Sequence, residues 1–393
     1  MDRRFTCKAL LGLAAAGLTL RAWPARAQSA PSPEALADYE RKLAQYEQIH
    51  GAFERIHNAY WDSIAAKRRI RNAKRRTHEA IVLDDYVLTQ PPLYSGPPKP
   101  VSPLPLPPPP PPPPPPVPPR PEIPVVADFL KAAQEQWGFV PDQPATDSDF
   151  KRAYAKAARE AGLTQAQIVG VYAFETGGHG QYNSQSGVGP PHPNAHPISP
   201  AIGYNQLLST NTVSLFGESG PRFLKLLTQK ANALDGEQRA AFERKFAILK
   251  RMIAFCRALP HSWAKYDEVA KGTQKGWGIH AAVLDIDVGP LLQVQKLLDS
   301  VLFARAKGDM TPLSAAELEL MNLTGDGNGF DMVTMPAEMR AQVPTSNFFQ
   351  PGGYARNPVA RRTKVVAGLI AEIQGHMDEN GHTPGAQELA AAY

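Results

Sequence analysis

Ten consecutive prolines, Pro107–Pro116, constrain this chain more than any other feature. Each proline ring fixes φ and removes a backbone donor, so neither a helix nor a sheet can run through the tract. What remains is polyproline II, an extended helix without internal hydrogen bonds. With its flanks, the biased stretch runs from Pro91 to Pro124 and reads as a linker with no core of its own. At about 3.1 Å per residue it spans on the order of 100 Å when fully extended. It reads as a stiff spacer between the segments on either side.

Residues 1–27 have the layout of an export signal, and its removal leads to the periplasm or the outside of the cell. Arg3, Arg4 and Lys8 precede an apolar run, Ala9–Leu20, and Ala25-Arg26-Ala27 supplies a small-residue cleavage site. The run is too short to cross a bilayer, and no transmembrane span is expected after cleavage. The Arg3-Arg4 pair fits general or twin-arginine export. Cys7 would leave with the signal, so the mature chain keeps Cys256 alone and forms no internal disulfide. Cys256 shares helical spacing with Phe242, Phe246, Leu249 and Ile253 and reads as a core residue.

Residues 28–90 read as a helical, basic segment. Leu36, Tyr39, Leu43, Tyr46, His50, Phe53 and His57 recur at alternating steps of three and four, a seam suited to self-association or to an envelope partner. Lys67-Arg68-Arg69, Arg71 and Lys74-Arg75-Arg76 then form a dense basic face, either solvated or set against anionic polymer or lipid headgroups. The net charge of +5 is modest, and export argues against a nucleic-acid partner.

From residue 125 to about 380 the periodicity is helical nearly throughout, and an all-α body is expected. Segments around Phe129–Trp137, Phe150–Ala161, Phe242–Leu259, Pro290–Ala306, Ser314–Leu323 and Val366–Met377 carry the clearest patterns. A short strand is expected near Val283–Val288, and residues 381–393 read as a flexible tail. The body is large enough to bury a sizeable core.

Within it, Leu163–Leu208 stands out. Thr164 and Gln167 form a capping box, Leu163 and Ile168 occupy the staple positions, and Gly177-Gly178 ends the helix. Ile168, Val171, Tyr172 and Glu175 share one face, which places a carboxylate on the apolar stripe. Apolar surroundings and the negative end of the helix dipole both favour its protonated form. Glycosidic cleavage needs such a group, because the leaving sugar oxygen must be protonated.

The order Phe174-Glu175-Thr176-Gly177-Gly178, a polar loop, then Ala201-Ile202-Gly203-Tyr204-Asn205-Gln206-Leu207-Leu208 resembles the lytic transglycosylases of the lysozyme superfamily. In that family a helix ends in Glu-Ser and a Gly-Leu-Met-Gln-Leu segment follows. Here Glu175, Gly203 and Gln206 match, Thr176 replaces the serine, Tyr204-Asn205 replaces Leu-Met, and the loop is longer. The resemblance implies a lysozyme-like catalytic domain acting on peptidoglycan glycan strands, with Glu175 as the sole acid and base. It implies no metal and no organic cofactor, and it places Gly203, Tyr204 and Gln206 against the sugar. The family's late tyrosine motif is loosely echoed at Phe348-Phe349-Gln350-Pro351-Gly352-Gly353-Tyr354, which makes Tyr354 a further substrate-binding candidate.

Other polar groups compete for roles. His179, His192 and His196 lie in the loop after Glu175, where prolines prevent a regular helix from aligning the last two, so they read as loop lining rather than metal ligands. Gly325–Asp331 resembles a calcium loop, but Phe330 and Asp331 break its register. It reads as a glycine turn with Asn328 and Asp331 on the sugar cleft. Asp285 and Asp287 read as solvent-facing acids beside a turn, or as the second carboxylate of a lysozyme-type hydrolase. A wall-binding scaffold without turnover is the remaining alternative to a transglycosylase.

Overall fold

The computed structural model describes residues 32–104, 123–188 and 196–393. The export signal, the ten-proline run and His192 lie outside the described residues. The described chain is all-α: it contains isolated β-bridges but no strand. Where a strand is expected at 283–288, the structure has a 3₁₀ turn, Ala281–Leu284, and a further turn before the helix that starts at Gly289.

Two compact units are present. The described parts of the first are residues 32–55 and 93–104. Here the beginning of α1 (Pro33–Thr77) carries part of the aromatic seam. Tyr94 covers that seam, with ring centroids 6.3 Å from Tyr46, 5.2 Å from His50 and 5.3 Å from Phe53. The first residues of the expected linker are thus packed on a helix rather than free.

The second unit comprises the rest of α1, residues 56–92 and the body. One side of the basic face of α1 docks the helix, while Arg69 and Arg76 stay exposed. Arg68 donates to the carbonyls of Asn347 and Phe349 at 2.9 Å each. Arg71, only 1% exposed, donates to the carbonyls of Asp85 and Asn347 and lies over the Tyr86 ring. Lys74 pairs with Asp85 at 2.6 Å, and Arg75 pairs with Asp331. Guanidinium groups suit this task because they satisfy several carbonyls at once while stacking on a ring.

The body continues with α2 (Val126–Trp137), α3 (Asp147–Ala161), α4 (Gln165–Thr176), α5 (Ser209–Glu218), α6 (Gly220–Asn232), α7 (Gly236–Arg257), α8 (Trp263–Gly272), α9 (Gln274–His280) and α10 (Gly289–Ala306). It closes with α11 (Ala315–Thr324), α12 (Asp326–Val333), the short α13 (Ala337–Arg340), α14 (Pro351–Arg356) and α15 (Pro358–Thr363), then α16 (Val366–Gly381) and α17 (Pro384–Ala392).

These helices enclose two apolar cores. One gathers Phe150, Tyr154, Ile168, Tyr172, Leu318, Leu369, Met377 and Leu389; the other gathers Phe129, Val213, Phe216, Leu249, Tyr266 and Ile279. Helix α10 serves both, giving Leu292 to the second core and Val294 and Leu297 to the first. The expected tail is instead α17. Thr383 caps it, Ala386 and Leu389 are buried, and the Tyr393 hydroxyl donates to the Leu163 carbonyl at 2.7 Å. Its alanine-rich sequence lacks the bulky residues that mark an amphipathic pattern, but small residues suit close packing against α3 and α4.

Among the described residues no helix is long and apolar enough to cross a membrane.

Candidate active site

Glu175 stands in the last turn of α4, and local signals set that helix. Thr164 Oγ1 accepts from the Gln167 N–H at 3.2 Å, Gln167 Oε1 accepts from the Thr164 N–H at 2.8 Å, and Gly177 ends the helix at φ 62°. Leu163 and Ile168, the staple pair, are both buried in the first core. Gly170 then lets two helices approach α4 closely. A Cβ there would lie 2.7 Å from Ala315 Cβ on α11 and 3.1 Å from Met377 Sδ on α16. Through this contact α11 reaches the acid.

Helix α11 contributes a residue that the sequence reading passed over. Glu319 is fully buried between Leu318 and Leu320, and it sits within hydrogen-bonding reach of Glu175. Asn322, one turn further along α11, donates through Nδ2 to Glu175 Oε1 at 3.2 Å and to Glu319 Oε1 at 3.4 Å. Among the described residues, no lysine or arginine forms an ion pair with either acid. Lys296 on α10 acts on both only through its field.

Burial pushes the Glu175 carboxyl up to about 7, against the hydrogen bond to Glu319 and the charge of Lys296, which lower it. Glu319 is raised well above the ordinary value, by burial first and then by the negative charge of Glu175. The desolvation expected from the sequence is therefore present at Glu175, and a second buried acid lies beside it.

Glu175 opens onto a cleft of about 680 Å³. Glu175, Asn322, Lys296 and Asp326 line it from the first core and from α10 and α12. Asn211 and Trp263 come from the helices of the second core, and Ser186, Ser199, Asn205 and Gln206 from the loop between α4 and α5. Trp263, at the start of α8, is 55% exposed, so an indole face stands free at the cleft edge. Asp326 accepts from Ser300 Oγ at 2.7 Å.

The segment Gly203–Gln206 splits into different tasks. Gln206 lines the cleft with φ 41°, an uncommon conformation for a residue with a side chain. Its Nε2 donates to the Gly203 carbonyl at 2.8 Å and to that of Ser184 at 3.2 Å, which closes the turn. Gly203 lies behind the lining at φ 85°, and a Cβ there would come 2.0 Å from Gln293 Nε2. It permits the turn and does not itself line the cleft.

Tyr204, expected against the sugar, is a core residue. It is fully buried, meets Phe150, Tyr154 and Tyr172 edge-on, and donates to Asp147 Oδ1 at 2.9 Å. Asn205 takes the cleft position in its place, held by Gln293 O at 2.9 Å and by the Tyr154 hydroxyl at 3.1 Å.

The remaining candidates do not converge on Glu175. Tyr354 packs against Trp61, centroids 5.8 Å apart, and belongs to the docking of α1. Phe348 is buried in the first core and Phe349 packs beside it. Asn328 lines a neighbouring hollow with Arg68 and Arg75, and Asp331 is held by Arg75. The expected glycine turn is helix α12, because Gly325 with φ 79° ends α11 and starts a new helix at once. His179 and His196 are exposed and do not line the cleft, whereas Ser186 and Ser199 of the same loop do.

Contrary to expectation, Asp285 and Asp287 do not face solvent, and neither lines the cleft with Glu175. Lys245 Nζ lies 3.1 Å from Asp285, 2.5 Å from Asp287 and 2.6 Å from Asp142, and Lys230 also pairs with Asp287.

No family model, no curated protein and no solved structure matches this chain. The site joins a partly buried carboxyl, raised by burial to about 7, to an amide- and hydroxyl-lined cleft with an exposed indole at its edge.

Proposed function

We propose that the chain is an exported lytic transglycosylase with a lysozyme-like body, acting on peptidoglycan glycan strands. The observation that carries this reading is Glu175, desolvated to about 7 with no ion-pair partner among the described residues, opening onto the polar cleft. A carboxyl in that state suits both halves of the reaction, which needs first an acid and then a base. Glu175 gives its proton to the oxygen between N-acetylmuramic acid and N-acetylglucosamine as the bond from that oxygen to C1 breaks. It then takes the proton of the muramic acid's 6-hydroxyl as that oxygen bonds to C1, giving a 1,6-anhydro end and restoring the acid.

The substrate's own N-acetyl group stabilises the positive charge that develops at C1, so no second carboxylate across the sugar is required. Glu319 does not supply one, because a carboxyl hydrogen-bonded to Glu175 leaves no room for a sugar between the two. Glycosidases that use two carboxylates hold them about 5 Å or more apart. Asp285 and Asp287, the bases a lysozyme-type hydrolase would use, are committed to Lys245. The amide of Asn211 and the Gln206 carbonyl oxygen, with Ser186 and Ser199, fit sugar hydroxyl and acetamido groups, and Trp263 offers a face on which a pyranose can stack. Digestion of purified peptidoglycan followed by mass spectrometry of the released fragments tests the reading. Anhydro ends are expected; reducing ends would make the protein a hydrolase, and binding without release would make it a scaffold.

A further inference from the structure

We propose that the neutral carboxylic acid of Glu319 donates a hydrogen bond to Glu175 and acts as its positioning residue. The claim rests on Glu175 being the acid that cleaves the glycan. Two carboxyl groups within hydrogen-bonding reach cannot both be ionised without severe repulsion, so the pair holds at least one proton between them. The surroundings decide where it sits. Glu319 is fully buried, its Oε2 receives no hydrogen bond, and its Oε1 has only the long contact from Asn322. Glu175 borders the cleft, accepts from the same amide at shorter distance and shares the lining with Lys296. Charge therefore belongs on Glu175 and the proton on Glu319, because an unpaired buried carboxylate costs far more than one that meets solvent and a cation.

The other charged groups leave this assignment in place. On α10 stand Lys296, whose field lowers both acids, and Asp299, bonded to Gln295 at 2.6 Å. On α12 stands Asp326, bonded to Ser300. On α16, His376 meets Phe174 and lies 3.5 Å from Glu372, and on α17 Glu388 pairs with Lys151. None of these bonds to Glu319.

The arrangement explains why a carboxyl rather than a leucine fills this apolar position. As a donor, Glu319 fixes the side-chain direction of Glu175 and stabilises its carboxylate, the form required for the second half of the cycle. Two variants separate this from a packing role. Glu319→Gln keeps a neutral donor of the same shape, while Glu319→Met keeps the length and removes the donor. Without the donor the Glu175 carboxylate loses stabilisation, so the pH profile of glycan cleavage should move upward in Glu319→Met by on the order of one pH unit. Glu319→Gln should follow the wild-type profile.

Infrared difference spectra supply a readout that needs no activity. At about pH 8.5, where ordinary carboxyl groups are ionised, the wild type should show a protonated-carboxyl band that is absent in Glu319→Gln and present in Glu175→Gln. A band unchanged by Glu319→Gln, or identical pH profiles in the Gln and Met variants, would overturn the assignment. If the wild type cleaves no glycan, the proposed function falls, while the infrared band still decides whether Glu319 holds the proton. Should Glu319→Met fail to fold, the band in Glu319→Gln decides alone.

Discussion

Two pairs of acids are buried in this body, and they are held in opposite ways. Asp285 and Asp287 surround Lys245, with Asp142 and Lys230 completing the cluster. Glu175 and Glu319 have each other and an asparagine. In the first cluster burial still raises the wholly buried Asp285, but at Asp287 Lys245 and Lys230 outweigh it and hold the carboxyl below its usual value. In the second, burial prevails and raises both acids. The aspartates also cap backbone: Asp285 accepts from the Asp142 and Asp287 N–H groups at 2.9 Å each, which ties the entry to α3 to the start of α10. A compensated cluster fixes chain geometry, whereas an uncompensated one stores a proton that chemistry can use.

The largest expected effect falls on the uncompensated side. Glu175→Gln keeps the shape and removes the transferable proton, so glycan cleavage should fall by roughly 10²–10⁴ with the circular dichroism spectrum unchanged. A variant cleaving at the wild-type rate would remove Glu175 from the mechanism and leave the comparison without a functional half.

The compensated side should respond in stability instead. Lys245→Met strands the wholly buried Asp285 and leaves Asp287 to Lys230 alone, and should cost about 3–5 kcal/mol in urea unfolding. Cleavage per folded molecule should change little.

A smaller effect sharpens the contrast through pH. The folded chain holds the Glu175 proton more tightly than the unfolded chain does, since its carboxyl is raised from 4.5 to about 7. The stability this confers is complete below the unfolded value and is lost as pH rises through the folded one. Glu175→Gln removes that loss. In thermal melts it should match wild type near about pH 4 and exceed it near about pH 8 by roughly 1–3 kcal/mol. Equal pH dependence in the two proteins would place Glu175 in an ordinary environment.

The smallest effect concerns the cleft edge. Trp263→Ala should raise KM for glycan by roughly 3–10-fold with kcat nearly constant, as expected for a stacking face that touches no reacting bond. A fall in kcat instead would bring the indole into the reaction centre.

Much of one half of this comparison can be read from the sequence and little of the other. Glu175 is visible because its helix is defined locally: a capping box at Thr164, a glycine stop at Gly177 and a period of 3.6 between them. Helices α2, α3, α7, α10, α11 and α16 are visible from their periodicity, whereas α5, α8 and α9 of the second core are short and do not announce themselves. Glu319 bears the same mark, an acid among Leu318, Leu320 and Met321, yet its significance depends on meeting Glu175 across 144 positions of chain (319 minus 175), which no local pattern reports. Trp263 heads a short helix with no strong period, and its place on the cleft follows from packing between cores. Tyr204 and Tyr354 mislead because an aromatic beside a motif looks the same whether it turns to the core, to a docked helix or to a ligand. The basic run on α1 misleads in part: Arg69 and Arg76 face water as charge runs usually do, but the carbonyls of Asn347 and Phe349 receive the guanidinium groups of Arg68 and Arg71.

The measurement closest to the central claim is the titration of Glu175 itself, followed by carbon-13 NMR of glutamate-labelled protein with Glu175→Gln for assignment. A carboxyl with its midpoint near 7 that disappears in the variant is the result expected of a desolvated, unpaired acid. A midpoint at the ordinary glutamate value of 4.5 would show that burial does not hold the proton there, and Glu175 would be one more surface acid at a helix end.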